Sequence, residues 1–365
     1  MILSFILRIK SNTFAMQVKI YLVVFIIMAI GSGIRAGNPD RQGQAGAAEL
    51  LMNPWGQSAG VHSMSTSSVR GIESMRINIA GLSRIQKLEI GISNNRLFSG
   101  TGMNLNSLGL GFKMGNSGAL GIEIASLDFG QIPVTTVNQP GGTGGFFSPS
   151  FFQLGLGYSY TYANKISVGM LMRLVSESIQ DVSASGIALD AGVQYVSGSK
   201  DNFKLGIALR NIGSPMAFGG EGLSVKRENP DPAGGVLYEL TYDARAASFE
   251  LPSMLNMGVS YDYYVGGENY LRTLVNFTSN AFSRDQIGAG LEFSFQNMVV
   301  FRAAYKYDLG SSVVDSRNIY TGFSAGGSIE VPFKKGGANN LGVDYAYRTT
   351  NPFKGTHNLT LRFSF

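Results

Sequence analysis

Apolar and polar residues alternate along most of the chain from Lys87 to the C-terminus. The alternation comes in runs of roughly 8 to 14 residues, which is typical of β-strands with one apolar and one polar face. There are fourteen such runs, an even number, as an antiparallel barrel built from one bacterial chain requires. The predicted strands are Lys87–Ser93, Ser107–Met114, Ala119–Leu127, Phe151–Tyr162, Ile166–Ile179, Ser185–Val196, Phe203–Arg210, Leu251–Val265, Tyr270–Thr278, Gln286–Phe295, Met298–Asp308, Asn318–Val331, Leu341–Thr349 and Asn358–Phe365.

The charged residues inside these runs all fall on the face opposite the large apolar residues. A lipid-facing Arg or Lys at mid-depth costs roughly 2–4 kcal/mol, so an apolar outer face and a charged inner face suit a transmembrane barrel. Alternation alone does not distinguish this fold from a soluble β-sandwich, which turns its apolar face inward. The charges predicted to point inward are Glu89, Glu123, Glu177, Asp190, Asp262, Glu292, Asp308, Glu330, Asp344, Lys113, Arg173, Lys204, Arg210, Arg272, Arg302, Lys306, Arg348 and Arg362.

The connections between the runs favour the barrel. Short links rich in Asn, Gly and Ser alternate with longer ones, as expected for tight periplasmic turns and longer extracellular loops. The longest are Asp128–Ser150 and Asn211–Glu250, whereas Gln180–Ala184 is short and departs from the trend.

The C-terminal sequence points the same way. The chain ends on alternating apolar residues, and Phe363 and Phe365 resemble the assembly signal with which bacterial outer-membrane barrels end. We therefore predict an all-β protein, a 14-stranded antiparallel transmembrane β-barrel over residues 87–365, in the bacterial outer membrane and in contact with its lipid.

The first 36 residues predict a signal peptide. Lys19 precedes the apolar run Ile20–Ile30, and small residues lead to a plausible cleavage site after Ala36. The apolar run is too short to span a bilayer as a helix. Met16 is a possible true start of the chain.

Residues 37–86 lie between the signal peptide and the first predicted strand. They contain the only tryptophan, Trp55, two residues after Asn53. The stretch Met75–Ile79 alternates like a strand, but a fifteenth strand would make the count odd. We therefore predict that this segment forms an N-terminal hatch inside the barrel.

The composition excludes several classes of function. The chain has no cysteine and only two histidines, His62 and His357, so it predicts no thiol or histidine metal site, no Ser-His-Asp constellation and no cofactor. Charged residues make up 15% of the chain, and the net charge of +5 is spread along it, which gives no case for binding nucleic acid. We therefore expect no enzymatic activity.

Several motifs resemble known outer-membrane barrels. The sequence Asn78-Ile79-Ala80-Gly81-Leu82 resembles the Asn-Pro-Ala-Gly-Leu motif of FadL-type barrels, with isoleucine in place of proline. Residues 43–51 (GQAGAAELL), followed by Asn53-Pro54-Trp55, are similar to one branch of the PorV/PorQ family, as are residues 126–133 (SLDFGQIP) and 189–195 (LDAGVQY). The resemblance covers most of residues 43–365.

The PorV/PorQ resemblance implies a FadL-like barrel of Bacteroidota with a role in type IX secretion. Members of the PorV kind bind the large channel of the secretion translocon and take up secreted cargo that carries a C-terminal signal domain. Asn53, Trp55, Asn78 and Gly81 belong to these motifs and lie in the segment predicted to form the hatch, so we assign them to a hatch motif.

The inward charges predict a filled lumen. Nine acidic and nine basic residues balance, as cross-strand ion pairs need, whereas an ion-selective pore is lined by charges of one sign. Ordinary solvated lumen charges are the alternative. The ion-pair candidates are Glu89, Glu123, Arg173, Glu177, Asp190, Arg272, Glu292, Arg302, Asp344 and Arg348.

A filled lumen would move function to the extracellular loops. Both long loops are rich in apolar residues, and exposed apolar surface marks contact sites. The partner-binding candidates are Phe218, Tyr238, Tyr242, Phe146 and Phe147. Alternatively, these residues fold over the barrel mouth as a lid.

Three functions stay open from the sequence. The first is protein binding in type IX secretion, the second is FadL-like uptake of hydrophobic small molecules, and the third is a purely structural role. A continuous apolar tunnel would favour uptake, and an ion-paired, filled lumen would favour protein binding.

Overall fold

The computed structural model describes residues 37–229, 238–310, 318–333 and 339–365, so the predicted signal peptide lies outside the described residues. Fourteen antiparallel strands form one closed barrel. Its strands are β1 (Leu88–Arg96), β2 (Asn104–Met114), β3 (Gly118–Asp128), β6 (Ser150–Tyr162), β7 (Ile166–Ile179), β8 (Val182–Ser197), β9 (Phe203–Gly213), β12 (Met254–Gly266), β13 (Asn269–Asn280), β14 (Gln286–Phe295), β15 (Val299–Asp308), β16 (Tyr320–Pro332), β17 (Asn340–Thr350) and β18 (Thr356–Ser364). Two further strand pairs lie outside the barrel, β4 (Ile132–Pro133) with β5 (Phe146–Phe147) and β10 (Ser224–Glu228) with β11 (Glu239–Asp243).

The first and last barrel strands close the sheet. β1 pairs with β18 along its length, from Glu89 opposite Ser364 to Arg96 opposite His357. Beyond β18, the backbone N–H of Phe365 donates to the carbonyl oxygen of Leu88 at 2.8 Å. No barrel strand is left with an unpaired edge, which a bilayer would not tolerate. The predicted 14-stranded transmembrane barrel is confirmed.

The outer surface is apolar. Met170 and Phe301, which point away from the lumen, are 65% and 63% exposed, whereas a soluble protein would bury them. All eighteen charges predicted to point inward lie at inward-facing positions of their strands. β1 and β3 run further than predicted, and their last residues, Arg96 and Asp128, are exposed on the outer side at the rim.

The connections define two different ends of the barrel. At the short-turn end, the strands are joined by brief turns, such as the one between Met114 and Gly118. At the long-loop end lie the long connections, which contain the two extra strand pairs. The sequence did not predict these pairs.

The segment before β1 folds into short helical turns. It contains α-helices at Gly56–Gly60 and Ser74–Ile77 and 3-10 helices at Pro39–Arg41, Ala48–Leu51, Gly71–Glu73 and Ile79–Arg84. Among the described residues, no helix has the length and apolar character needed to cross a bilayer.

Residues 53–85, which we call the inner segment, are almost entirely buried. They contact inward-facing residues of strands all around the barrel. The backbone N–H of Gly56 donates to Thr360 on β18 at 3.0 Å, and Ser67 lies 3.0 Å from Ser260 on β12, hydroxyl to hydroxyl. The inner segment therefore occupies the lumen, while its role as a hatch stays a prediction.

Candidate functional site

A row of ion pairs links five neighbouring strands on the inner face of the barrel wall. Asp262 accepts hydrogen bonds from Lys204 and Arg272, with Arg272 Nε at 2.7 Å from Asp262 Oδ1. Glu292 then bridges Arg272 and Arg302, each at 2.7 Å. The pairing register sets Asp262, Arg272, Glu292 and Arg302 directly opposite one another on consecutive strands, so each carboxylate meets a cation on either side.

Two smaller groups complete the ion pairing. Asp190 pairs with Arg173 and also lies 4.0 Å from Arg210. At a register shift between β8 and β9, the backbone N–H of Asn211 donates to Asp190 at 2.8 Å. In the third group, Arg362 pairs with Glu330 at 2.5 Å and with Asp344 at 3.2 Å.

Four of the predicted ion-pair candidates make no ion pair within the described ranges. Glu89 accepts the backbone N–H of Ile72 at 3.1 Å, and Glu177 lies beside the carboxyl of Glu49. Arg348 lies over the ring of Tyr320, 4.6 Å from its centroid. These side chains face the inner segment or the barrel mouth, and no opposite charge of the described residues lies within ion-pair distance of them.

Glu123 is the fourth of these candidates. This fully buried carboxylate accepts Trp55 Nε1 at 2.9 Å and Gln153 Nε2 at 3.1 Å. A neutral indole N–H and an amide thus take the place of the expected cation. The nearby guanidinium of Arg76 binds Gln153 Oε1 at 2.7 Å and two backbone carbonyls.

The candidates omitted Lys204, Asp262, Arg210, Glu330 and Arg362, all of which pair in the structure. Alternation shows that these residues point inward, but it does not show which residues stand opposite each other. That depends on the strand register, which the turn lengths fix.

Trp55 anchors the inner segment to the wall. Its ring lies against β1 and β2 where these strands carry Gly91 and Gly109, and a Cβ at either position would come within 3.1 Å of the ring. Asn53 fixes the preceding turn, since its Oδ1 accepts the backbone N–H of Trp55 at 3.1 Å. The two glycines therefore leave room for the indole.

Asn78 and Gly81 hold the inner segment in place on the side of the barrel away from Trp55. Asn78 contacts the wall and the inner segment, and Gly81 contacts the inner segment. Asn78 Nδ2 donates to the carbonyl oxygens of Thr66 and Val193, at 2.9 and 3.1 Å. A Cβ on Gly81 would lie 2.2 Å from the carbonyl oxygen of Val69, so only glycine fits there. Asn53, Trp55, Asn78 and Gly81 thus all hold the inner segment in its position.

An apolar cluster fills the lumen at the long-loop end. It joins strand ends to residues 47–50, which precede the inner segment, and to the long loop that follows β9. Partly buried side chains pack on it, with Phe218 and Phe249 from that loop and Met52 from just before the inner segment. The buried members are Ala47, Leu50, Leu97, Phe98, Leu105, Ala125, Leu127, Phe151, Val175, Ala184, Ala188, Met216 and Leu251.

The predicted loop residues fall into two groups. Phe218 is partly buried and packs on Phe249, with ring centroids 5.8 Å apart, so it covers the barrel mouth. Tyr238 and Tyr242 are exposed, as is Phe146 on β5. Phe147, the neighbour of Phe146, is partly exposed.

Phe363 and Phe365 lie at the short-turn end. Both stack on Phe333, with centroid distances of 6.5 and 6.3 Å. This contact orders the end of the chain beside the last short turn. Their role as an assembly signal stays a prediction.

A polar cavity of about 450 Å³ opens at the short-turn end. Its walls include Arg70 and Arg84 from the inner segment and Arg272 and Glu292 from the ion-pair row. Among the described residues, no three His, Asp or Glu side chains are grouped to hold a metal ion.

Comparison with known proteins identifies the fold. No family model matches the sequence, and no curated protein matches it. Among solved structures, the toluene transporter TodX of Pseudomonas putida is similar at a TM-score of 0.55 and 13% identity, over 86% of this chain and 98% of that one. The monoaromatic hydrocarbon channel CymD is similar at 0.53 and 13%, over 84% and 96%.

A FadL homologue of Pseudomonas aeruginosa also matches, over 84% of this chain and 96% of its own, but its TM-score of 0.44 adds no weight. TodX and CymD are named as a transporter and a channel rather than as enzymes. At this level of identity the likeness concerns the fold alone, and nothing in it supports the PorV/PorQ assignment. The described chain shares its barrel fold with TodX and CymD.

Proposed function

We propose that this protein is a non-enzymatic barrel of the bacterial outer membrane that takes up hydrophobic small molecules. The observation that carries the proposal is the apolar cluster at the long-loop end of the lumen. The similar proteins TodX and CymD, named for toluene and monoaromatic hydrocarbons, support it. The apolar belt of the outer wall supports the membrane location.

We expect a hydrophobic compound to move from water to this apolar cluster. Its outermost layer, Phe218 and Phe249, belongs to a loop whose base is held by two hydrogen bonds between Met216 and Phe249, of 2.9 and 2.8 Å. Burial of apolar surface contributes about 25 cal/mol per Å², which is enough to capture a small hydrocarbon. Below the cluster lie the polar contacts of the inner segment, so passage requires that segment to move.

A reversible lock of the inner segment tests this requirement. The chain has no cysteine, and the hydroxyls of Ser67 and Ser260 lie 3.0 Å apart. A Ser67→Cys, Ser260→Cys variant forms a disulfide between the inner segment and the wall. We expect its oxidised form to reduce toluene uptake to the level of cells that lack the barrel, and a reductant to restore uptake.

The two single cysteine variants are the matched controls, and both should transport like the wild type. Equal barrel content is verified in membranes before each assay. Undiminished toluene uptake by the oxidised double variant would refute passage through the lumen.

We infer a second candidate function, protein binding in type IX secretion, from a different observation. The strand pair β10–β11 has all ten residues exposed, and the pairing places Val225, Leu240 and Tyr242 on one face. Such an apolar face is typical of a contact surface. The ion-paired, occupied lumen also suits a barrel that acts through its loops. The candidate partners are the translocon channel and secreted cargo with a C-terminal signal domain.

Exchange of the exposed tyrosines tests the second function. Tyr238→Ser with Tyr242→Ser removes apolar area from β11, and Thr241→Ala on its opposite face is the control. If the strand pair β10–β11 binds a partner, the double variant loses the co-purifying protein and the control variant keeps it. Full recovery of the partners from the double variant would exclude this surface.

A further inference from the structure

The polar cavity at the short-turn end has an uneven distribution of charge. Its acidic residues already have partners, because Glu292 and Glu330 pair with arginines of the wall. Glu73 accepts the backbone N–H groups of Gln57 and Ser58, at 3.2 and 2.9 Å. Glu89 accepts the backbone N–H of Ile72 at 3.1 Å, so each carboxylate that lines the cavity has a partner on the wall or in the inner segment.

Arg84 lines this cavity and forms no ion pair among the described residues. Its Nε and Nη2 atoms are buried and have no hydrogen-bond partner among the described residues. A buried polar group without a partner costs about 1–3 kcal/mol, and a charged group costs more. A guanidinium left in this state is suited to a ligand that brings the missing acceptors.

Two further cations lie next to Arg84. Lys113 donates to the carbonyl oxygen of Ser83, the residue before Arg84. Arg70 follows Val69, whose carbonyl oxygen lies close to Gly81, and it lines the same cavity. Burial lowers the pKa of Arg84, and the positive charge of Arg70 lowers it further. Within the described ranges neither Arg70 nor Lys113 forms an ion pair.

We propose that this cavity binds a phosphate group between Arg70 and Arg84, with Lys113 beside Arg84. Arginine forks match the oxygens of phosphate with paired hydrogen bonds. Three unpaired cations suit the double charge of phosphate better than the single charge of a carboxylate. A cavity of about 450 Å³ holds more than one free ion, so the group comes either from free phosphate or from the headgroup of a larger ligand.

Calorimetric titration of the full-length barrel in a neutral detergent tests this site. Inorganic phosphate is titrated at constant ionic strength into wild type, Arg84→Gln, Arg70→Gln and the double variant. We expect each single change to weaken binding about tenfold or more, and the double change to abolish it. Arg245→Gln, which removes an exposed arginine at the long-loop end, is the matched control and should bind like wild type.

Arg84→Lys keeps the positive charge and should retain part of the affinity, which separates loss of the site from loss of the fold. Titration with dioctanoyl phosphatidic acid distinguishes a headgroup from free phosphate as the ligand. If it binds more tightly than inorganic phosphate, the site binds a headgroup. If both bind equally, the site binds the free ion. The proposal is overturned if wild type does not bind phosphate, if the double variant binds equally well, or if acetate binds as tightly as phosphate.

Discussion

The row of ion pairs in the lumen and the strand pair β10–β11 outside it carry the same kind of sequence in opposite surroundings. The barrel strands that form the row alternate polar with apolar residues, and so does β11, from Glu239 to Asp243. In the lumen, residues such as Asp262 and Glu292 are buried and each contacts two cations, whereas the residues of β10–β11 are exposed on both faces. Alternation therefore gives a strand two faces, and the neighbouring elements decide what each face meets.

The largest expected effect comes from breaking the row in the lumen. Asp262→Asn leaves Lys204 and Arg272 short of a shared negative charge in a buried site, and we expect it to lower the free energy of unfolding by about 3–5 kcal/mol. The control is Lys165→Gln, which breaks the exposed pair with Asp201 and should cost at most about 1 kcal/mol. Urea unfolding of the purified barrels in detergent measures both. Equal losses in the two variants would mean that burial does not distinguish these pairs.

A smaller effect is expected where the inner segment meets the wall. Trp55→Phe keeps an aromatic ring between the glycines but removes the N–H that Glu123 accepts, so we expect a loss of about 1–3 kcal/mol. A double-mutant cycle with Glu123→Gln, measured by urea unfolding, isolates the contact. A coupling energy near zero would show that the indole N–H does not stabilise the inner segment.

Deletion of Phe365 should affect assembly more than stability. It removes two backbone hydrogen bonds to Leu88, so the finished barrel should lose about 1–2 kcal/mol in urea unfolding. The amount of assembled barrel in outer membranes, measured by quantitative immunoblotting, should fall several-fold. Unchanged membrane abundance would argue against a C-terminal assembly signal.

The smallest effect is expected on the exposed strand pair. Tyr242→Ser removes a side chain that is 42% exposed, so the free energy of unfolding should change by less than about 0.5 kcal/mol. A larger loss in urea unfolding would show that β10–β11 packs against the rest of the barrel. In that case the contrast between the two regions would not hold.

The barrel could be predicted because apolar and polar residues alternate within each strand. The strand number, the closure and the inward position of charges such as Arg302 follow from that alternation. Ion-pair partners did not follow, because Arg272 meets both Asp262 and Glu292 only through the register of three strands. The strands β4 and β5 have only two residues each, and β10 carries three consecutive charged residues, so neither strand pair outside the barrel gives a clear periodic signal.

The candidate site was less predictable for another reason. The inner segment has short helical turns, and its side chains bind partners on distant strands, as Asn78 does with Val193. No local pattern encodes such contacts. Arg70 and Arg84 drew no attention in the sequence, because a lone arginine near a strand start is ordinary and only the cavity reveals its missing partner.

The hydrogen bonds between Leu88 and Phe365 impose an order on folding. Leu88 lies at the start of β1, shortly after the inner segment, and Phe365 lies just after β18, so these bonds join the first and last strands of the barrel. Contacts between such distant parts of a chain form slowly. We therefore expect the growing sheet to curl around the inner segment and to seal it in at the final step, since a closed barrel leaves no opening in its wall through which the segment could enter.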